Sequence, residues 1–223
     1  MKTLIDNAFV AHYGITSFTP AVEYNVQEES FDIDDKSTMP IVEKSNGQVT
    51  LSNISGGVDV LSYEHFINGC KRPRGFANGL KRCDYVITSA TNKSIVCLLE
   101  ITSAVGSVSG LSIPILHSKT KAVIYPGGKY EKVQDQLETS LKTLMDVPAI
   151  SSDFQQRIRK VCLMAYRIYP YTKLTDRIRH PFMRFLGIEA RETKEQGAWF
   201  SCPGIESYGF EYRRINHDYT FIL

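Results

Sequence analysis

The sequence has no apolar run approaching the about 20 residues that a helix needs to cross a lipid bilayer. A signal peptide is not expected either, because Asp6 falls inside what would have to be its apolar stretch. The five cysteines are odd in number and widely spaced, and Cys97 and Cys162 lie within apolar runs, as reduced, buried thiols do. We therefore expect a cytoplasmic protein without a membrane partner.

The chain also lacks a strong net charge. Its 26 Lys and Arg residues against 24 Asp and Glu residues give +2, so the chain as a whole does not predict a polyanionic partner. A local basic cluster lies just before the candidate active site described below. That cluster predicts contacts with nucleic acid, made by Lys71, Arg72, Arg74 and Lys81.

Three common kinds of site are missing from the sequence. The five histidines and the cysteines do not have the spacing of zinc ligands. The segment SAVGSVSG lacks the lysine that a phosphate-binding loop requires. Nothing marks the strand-to-helix turn that carries a catalytic serine. These absences argue against a structural zinc site, a nucleotide-binding loop and a serine hydrolase.

The composition is that of a globular protein, with 43% hydrophobic and 22% charged residues in 223. We predict one domain with a core at 58–169, an N-terminal extension at 1–57 and a C-terminal helix and β-hairpin at 170–223. Irregular or short β structure is expected up to about residue 50. Helical spacing of Val60, Tyr63, Phe66 and Ile67 predicts a helix that ends before Pro73.

The central elements are the clearest in the sequence. CDYVITSA and SIVCLLEIT are apolar almost throughout and flank the turn residues TNKS, which predicts a β-hairpin covered on both faces. Helical spacing predicts a helix over 130–145. Another buried strand is expected over 160–169, an amphipathic helix over 172–186, and a terminal hairpin around 216–218. The order through the core is helix, strand, strand, helix, strand.

Two carboxylates are expected to converge at one end of the first hairpin. If the chain turns around Asn92, antiparallel pairing places Asp84 opposite Glu100. Like charges in that position repel, and a divalent cation would compensate them. Carboxylate oxygens suit Mg²⁺, which can activate water and stabilise charge on a phosphate. The alternative is that both side chains merely face solvent at the strand ends.

These residues carry a resemblance to the PD-(D/E)XK nuclease superfamily. Arg82-Cys83-Asp84-Tyr85-Val86-Ile87 and Leu98-Leu99-Glu100-Ile101-Thr102, followed by a helix with Gln136-Leu137, resemble its pattern of elements over about residues 58–169. The resemblance implies an α/β, restriction-endonuclease-like core: a central mixed β-sheet flanked by helices, here with N-terminal and C-terminal β additions. It implies Mg²⁺ or Mn²⁺ held by Asp84, Glu100 and the carbonyl of Ile101. Glu64 resembles an additional acidic residue near the metal. Gln136 resembles a polar residue directed at the site, where it is a candidate contact with nucleic acid.

One position departs from that pattern. Thr102 stands where the resemblance implies a lysine, and a hydroxyl cannot supply the positive charge that stabilises the transition state. Lys119, Lys121 or Lys129 could reach the site instead, and Lys121 is our catalytic candidate together with Thr102. Two functions remain open: a metal-dependent nuclease acting on DNA, as in bacterial restriction or anti-phage defence, or an inactive nuclease-like module that binds nucleic acid or a partner protein.

The C-terminal region is rich in aromatic residues, interleaved with Arg213 and Arg214. Such residues can stack on bases, but packing in a core or an interface is their commoner role. A partner protein or a second copy of the chain could dock on this region.

Overall fold

A seven-stranded mixed sheet forms the centre of the fold in the computed structural model. The structure describes residues 1–34, 41–43, 49–53, 56–71, 81–105, 115–116, 123–124, 129–169 and 197–223. The strands are β1 (Glu23–Val26), β2 (Ser30–Asp34), β3 (Ile41–Glu43), β4 (Val49–Ser52), β5 (Val58–Ser62), β6 (Tyr85–Ser89), β7 (Ile95–Val105), β8 (Ile115–Leu116), β9 (Val123–Ile124), β10 (Arg159–Tyr169), β11 (Ala198–Phe200), β12 (Glu211–Asn216) and β13 (Thr220–Ile222). A π-helical turn (Leu4–Phe9) precedes α1 (Val10–His12), and α2 (Tyr63–Gly69), α3 (Lys129–Met145), α4 (Pro148–Gln155) and α5 (Pro203–Glu206) follow.

The strand order of the large sheet is β1, β5, β6, β7, β10, β12, β11. The first four strands pair antiparallel, whereas β10 is parallel to both β7 and β12. A parallel connection needs a crossover, and the chain between β7 and β10 contains α3 and α4. The predicted α/β class with a mixed sheet flanked by helices is confirmed, as is the predicted order of α2, β6, β7, α3 and β10.

Both faces of the central strands are covered, as the sequence predicted. On one face, Leu98 packs in a cluster with Leu137 and Leu141 of α3 and with Ile5 and Phe9 of the N-terminal helical segment. On the other face, Leu99 packs in a second cluster that includes Phe31 of β2, Leu51 of β4 and Phe221 of β13. These strands form a smaller sheet in the order β13, β4, β2, β3, which joins the β segments from the two ends of the chain.

The predicted β-hairpin is present in the predicted register. Tyr85 pairs with Leu99 and Thr88 with Val96, so the turn lies at Asn92. The predicted helix over 130–145 and strand over 160–169 are also present, as α3 and β10.

The predicted helix before the hairpin is only partly correct. Val58–Ser62 forms β5, which pairs with β1 on one side and β6 on the other, and the helix begins only at Tyr63. Val58, Val60 and Leu61 are fully buried. Periodicity does not separate a strand buried on both faces from a buried helix, because both are apolar on every side.

The predictions for the chain ends are correct only in part. Short strands β1 to β4 are present as expected before about residue 50, but Leu4–His12 is helical rather than irregular or β, since Ile5 and Phe9, four residues apart, bury one helical face. The terminal strands do not form a hairpin: β12 pairs in the large sheet, whereas β13 pairs in parallel with β4. Alternation of apolar and polar residues along the sequence identifies the strands, but it does not show which strands they pair with. The helix predicted over 172–186 lies outside the described residues.

Within the described ranges, no helix is both long enough and apolar enough to cross a membrane.

Candidate active site

The open end of the β6–β7 hairpin brings Asp84 and Glu100 together. Asp84 directly precedes β6, and its N–H donates to the carbonyl of Leu99 at 3.1 Å, while Glu100 is the next residue along β7. Both side chains are buried, with 6% and 5% of their surface exposed. The two carboxylates therefore lie at one end of a pair of central strands, where they are shielded from water.

Asp84 is held by contacts on both its side chain and its backbone. Its Oδ2 accepts a hydrogen bond from the N–H of Ile101 at 2.6 Å. Its carbonyl oxygen accepts from the N–H groups of Tyr63 and Glu64, at 2.9 and 3.1 Å. These N–H groups begin α2 and have no acceptor inside that helix. Asp84 thus fixes the start of α2 relative to the hairpin.

Glu100 is held from the helix side by Gln136 of α3. Gln136 Nε2 donates to Glu100 Oε1 at 2.6 Å and to the carbonyl of Arg82 at 2.9 Å. The other carboxylate oxygen, Glu100 Oε2, is buried and has no hydrogen-bond partner among the residues that the structure describes. A buried carboxylate oxygen without a partner is costly, so this atom is the strongest sign that the site takes a ligand or a proton.

The electrostatics of the pair agree with that geometry. The pKa of Glu100 is raised to about 10, chiefly by burial and also by the negative charges of Asp84 and Glu64. The hydrogen bond from Gln136 and the ammonium of Lys132 act in the opposite direction and lower the same pKa. Without a bound cation, Glu100 is therefore protonated at neutral pH.

The residues are compatible with a metal ion, but they do not form a complete protein cage. In the part of the chain that the structure describes, no group of three or more His, Cys, Asp or Glu side chains is arranged to hold an ion. Mg²⁺ often binds through only one or two carboxylates and keeps several waters. Asp84 and the unpartnered Glu100 Oε2 fit that mode of binding.

Glu64 lies at the edge of the site. Its Oε1 is 3.5 Å from Nε of Arg82, and the side chain is 43% exposed. It is close enough to raise the pKa of Glu100. Glu64 is therefore near the carboxylate pair, but it faces a guanidinium.

The structure describes the remaining predicted catalytic and metal-binding residues only in part. Thr102 is half-buried on β7 and pairs with Tyr166 of β10. Strand alternation puts it on the same face as Glu100. Lys121 and Lys119 lie outside the described residues, and so does the side chain of Lys129. Ile101 contributes the N–H that binds Asp84.

The predicted basic cluster is described only in part. Lys71 is exposed, and its N–H donates to the carbonyl of Ser17 at 2.7 Å. Lys81 is 54% exposed and forms an ion pair with Asp135 of α3. Arg72 and Arg74 lie outside the described residues. Lys81 is thus tied to the helix that carries Gln136.

Two further basic residues lie near the pair: Arg82, in the segment that carries Asp84, and Lys132, which was not predicted from the sequence. Arg82 has its carbonyl bound by Gln136 and its guanidinium beside Glu64. Lys132 lies on the exposed surface of α3, four residues before Gln136. The signal for Lys132 was available, because residues four apart share one face of a helix.

The C-terminal aromatic residues that are described mostly pack within the protein. The guanidinium of Arg214 stacks between the rings of Tyr130 and Phe200, at 3.9 and 3.7 Å from their centres. Tyr212 and Phe221 are fully buried. Trp199 is the exception, with 56% of its surface exposed. Stacking on bases is therefore not the role of Tyr212, Phe221 or Arg214.

Comparison of the chain with models of protein families, with curated proteins and with solved structures finds no match. The geometry around Asp84 and Glu100 is therefore the main indication of function.

Proposed function

We propose that the protein is a metal-dependent nuclease that hydrolyses phosphodiester bonds in DNA. The observation that carries the proposal is the buried pair of Asp84 and Glu100, in which Glu100 Oε2 has no partner within the described part of the chain. Such a pair is unfavourable without a cation and favourable with one. The resemblance to the PD-(D/E)XK superfamily adds the substrate class, and it alone suggests a role in bacterial restriction or anti-phage defence.

Asp84, Glu100 and the carbonyl of Ile101 would hold the ion, Mg²⁺ or Mn²⁺. When bound, such an ion polarises the phosphate and lowers the pKa of a coordinated water. Gln136 orients Glu100 through its 2.6 Å hydrogen bond, and the N–H of Ile101 orients Asp84. Burial of the pair excludes bulk water, which strengthens each of these electrostatic interactions.

The proposed reaction is a hydrolysis. The oxygen of a water molecule forms a bond to phosphorus, and one P–O ester bond breaks. The attacking water loses a proton to solvent or to a basic group of the site, and the leaving oxygen gains one. The products are a terminal phosphate and a terminal hydroxyl.

The test is cleavage of supercoiled plasmid and of single-stranded DNA with Mg²⁺ or Mn²⁺. Asp84→Asn and Glu100→Gln replace each carboxylate by an amide of similar shape, and each should lower the rate by about 100-fold or more. Glu28→Gln is the control, because Glu28 is exposed in a loop between β1 and β2. Cutting that survives both site variants would contradict the proposal.

A second candidate is an inactive nuclease-like module that binds nucleic acid or a partner protein. Thr102 favours it, since that position carries no positive charge. Under this alternative, the wild type binds DNA or a partner and cuts nothing in either metal. The same cleavage assay, paired with a binding measurement, separates the two functions.

A further inference from the structure

We infer that Lys132 supplies the positive charge that faces a phosphate at the Asp84–Glu100 pair. The inference rests on the proposed function, and it names a group of this chain that binds the substrate. It starts from α3, the helix that crosses the sheet beside the two carboxylates.

The first step is the position of Lys132 on that helix. Gln136 places its amide 2.6 Å from Glu100 Oε1, which fixes the face of α3 that is directed at the site. Lys132 precedes Gln136 by four residues, about one helical turn or 6 Å along the axis. The two side chains share one face, and the long lysine side chain spans a distance of that size.

The second step is that the Lys132 ammonium is not committed elsewhere. Among the described residues it has neither an ion-pair nor a hydrogen-bond partner, and the side chain is exposed. Its basic neighbours differ in this respect: Lys81 pairs with Asp135, and Arg82 lies beside Glu64. Lys132 can therefore bind an incoming anion without first breaking an ion pair.

The third step is electrostatic. Lys132 lies one turn before Gln136, on the helix face that the 2.6 Å contact with Glu100 Oε1 directs at the site, so its side chain extends from the rim of the pair. A phosphate that approaches the carboxylates carries negative charge that grows on the oxygens during hydrolysis. An ammonium at the rim of the pair is placed to stabilise that charge, which Thr102 on β7 cannot do.

The experiment compares Lys132→Gln with Lys132→Arg and with Lys142→Gln. Lys142 is an exposed lysine of the same helix, about three turns after Lys132 and six residues after Gln136, and it is the matched control. Circular dichroism and the thermal midpoint verify that each variant is folded. Two readouts are taken: cleavage of DNA with Mn²⁺, and binding of a short DNA duplex in EDTA at several salt concentrations.

For cleavage, Lys132→Gln is expected to lower kcat by about 100-fold with a smaller change in KM, while Lys132→Arg keeps most of the rate. For binding, Lys132→Gln should weaken the affinity and lower the slope of its salt dependence by about one. Lys142→Gln should leave both unchanged. If the wild type does not cut, the proposed nuclease activity fails, but the loss of binding in Lys132→Gln still supports the role of Lys132. If Lys132→Gln matches Lys142→Gln in both readouts, the role of Lys132 is overturned.

Discussion

Gln136 Nε2 donates a hydrogen bond to Glu100 Oε1 at 2.6 Å, and this contact joins α3 to the strand that carries the acid. The same amide nitrogen also donates to the carbonyl of Arg82, just before β6. One side chain therefore sets the spacing between the helix and both strands of the hairpin. The arrangement of the two carboxylates depends on it.

Replacing Gln136 by Ala should destabilise the protein and lower its activity. The change leaves Glu100 Oε1 and the carbonyl of Arg82 without their donor, at a cost of about 1–3 kcal/mol. Urea unfolding at neutral pH measures it, with Gln134→Ala on the same helix as the control. Equal effects of the two substitutions would show that Gln136 does not organise the site.

Replacing Glu100 by Gln should stabilise the metal-free protein, and the gain should grow with pH. The pKa of Glu100 is raised in the folded protein, so the folded state binds more protons than the unfolded chain above the ordinary glutamate pKa. Stability of the wild type therefore falls as the pH rises through that window. Glutamine does not titrate, so Glu100→Gln removes the contribution of this residue to the pH dependence of stability.

We expect the difference in unfolding free energy between Glu100→Gln and the wild type to increase by at least about 1 kcal/mol from pH 5 to pH 8. Urea titrations in EDTA at both pH values measure it. A difference that is constant with pH would mean that Glu100 ionises normally in the folded protein.

Replacing Asp84 by Ala or by Asn should separate its structural role from its chemical one. Alanine removes the acceptor of the buried Ile101 N–H, which costs about 1–3 kcal/mol. Asparagine keeps an acceptor oxygen and should cost less, yet it removes the charge and with it the cleavage. Hydrogen exchange of the Ile101 amide measures the first effect: protection should be lost in Asp84→Ala and kept in Asp84→Asn. Loss of protection in both variants would contradict this account.

The sequence predicts the centre of this fold better than its ends. The β6–β7 hairpin is bounded by turn residues, and α3 has one apolar stripe, so both follow from local pattern. The predicted meeting of Asp84 and Glu100 follows from the same hairpin. The partners of β13 and the helix at the N-terminus depend on contacts distant in sequence, which no local pattern contains.

The candidate site, like the fold, was predicted from the sequence only in part. Gln136 was predicted to point at the carboxylates, and its hydrogen bond to Glu100 agrees. Lys132 was not predicted, although the expected direction of Gln136 already places the residue one turn before it on the same face of α3. The unpartnered Glu100 Oε2 results from packing, since only the folded chain removes water from that oxygen.

The central claim is that Asp84 and Glu100 bind a metal ion, and calorimetric titration with Mn²⁺ tests it most directly. Glu100 holds a proton at neutral pH in the metal-free protein, so binding must displace it. Titrations at pH 7 in buffers of different ionisation enthalpy should show one ion bound and about one proton released. Asp84→Asn and Glu100→Gln should each weaken binding strongly, and Glu28→Gln should not. Absence of binding to the wild type, or binding that both site variants retain, would contradict the account.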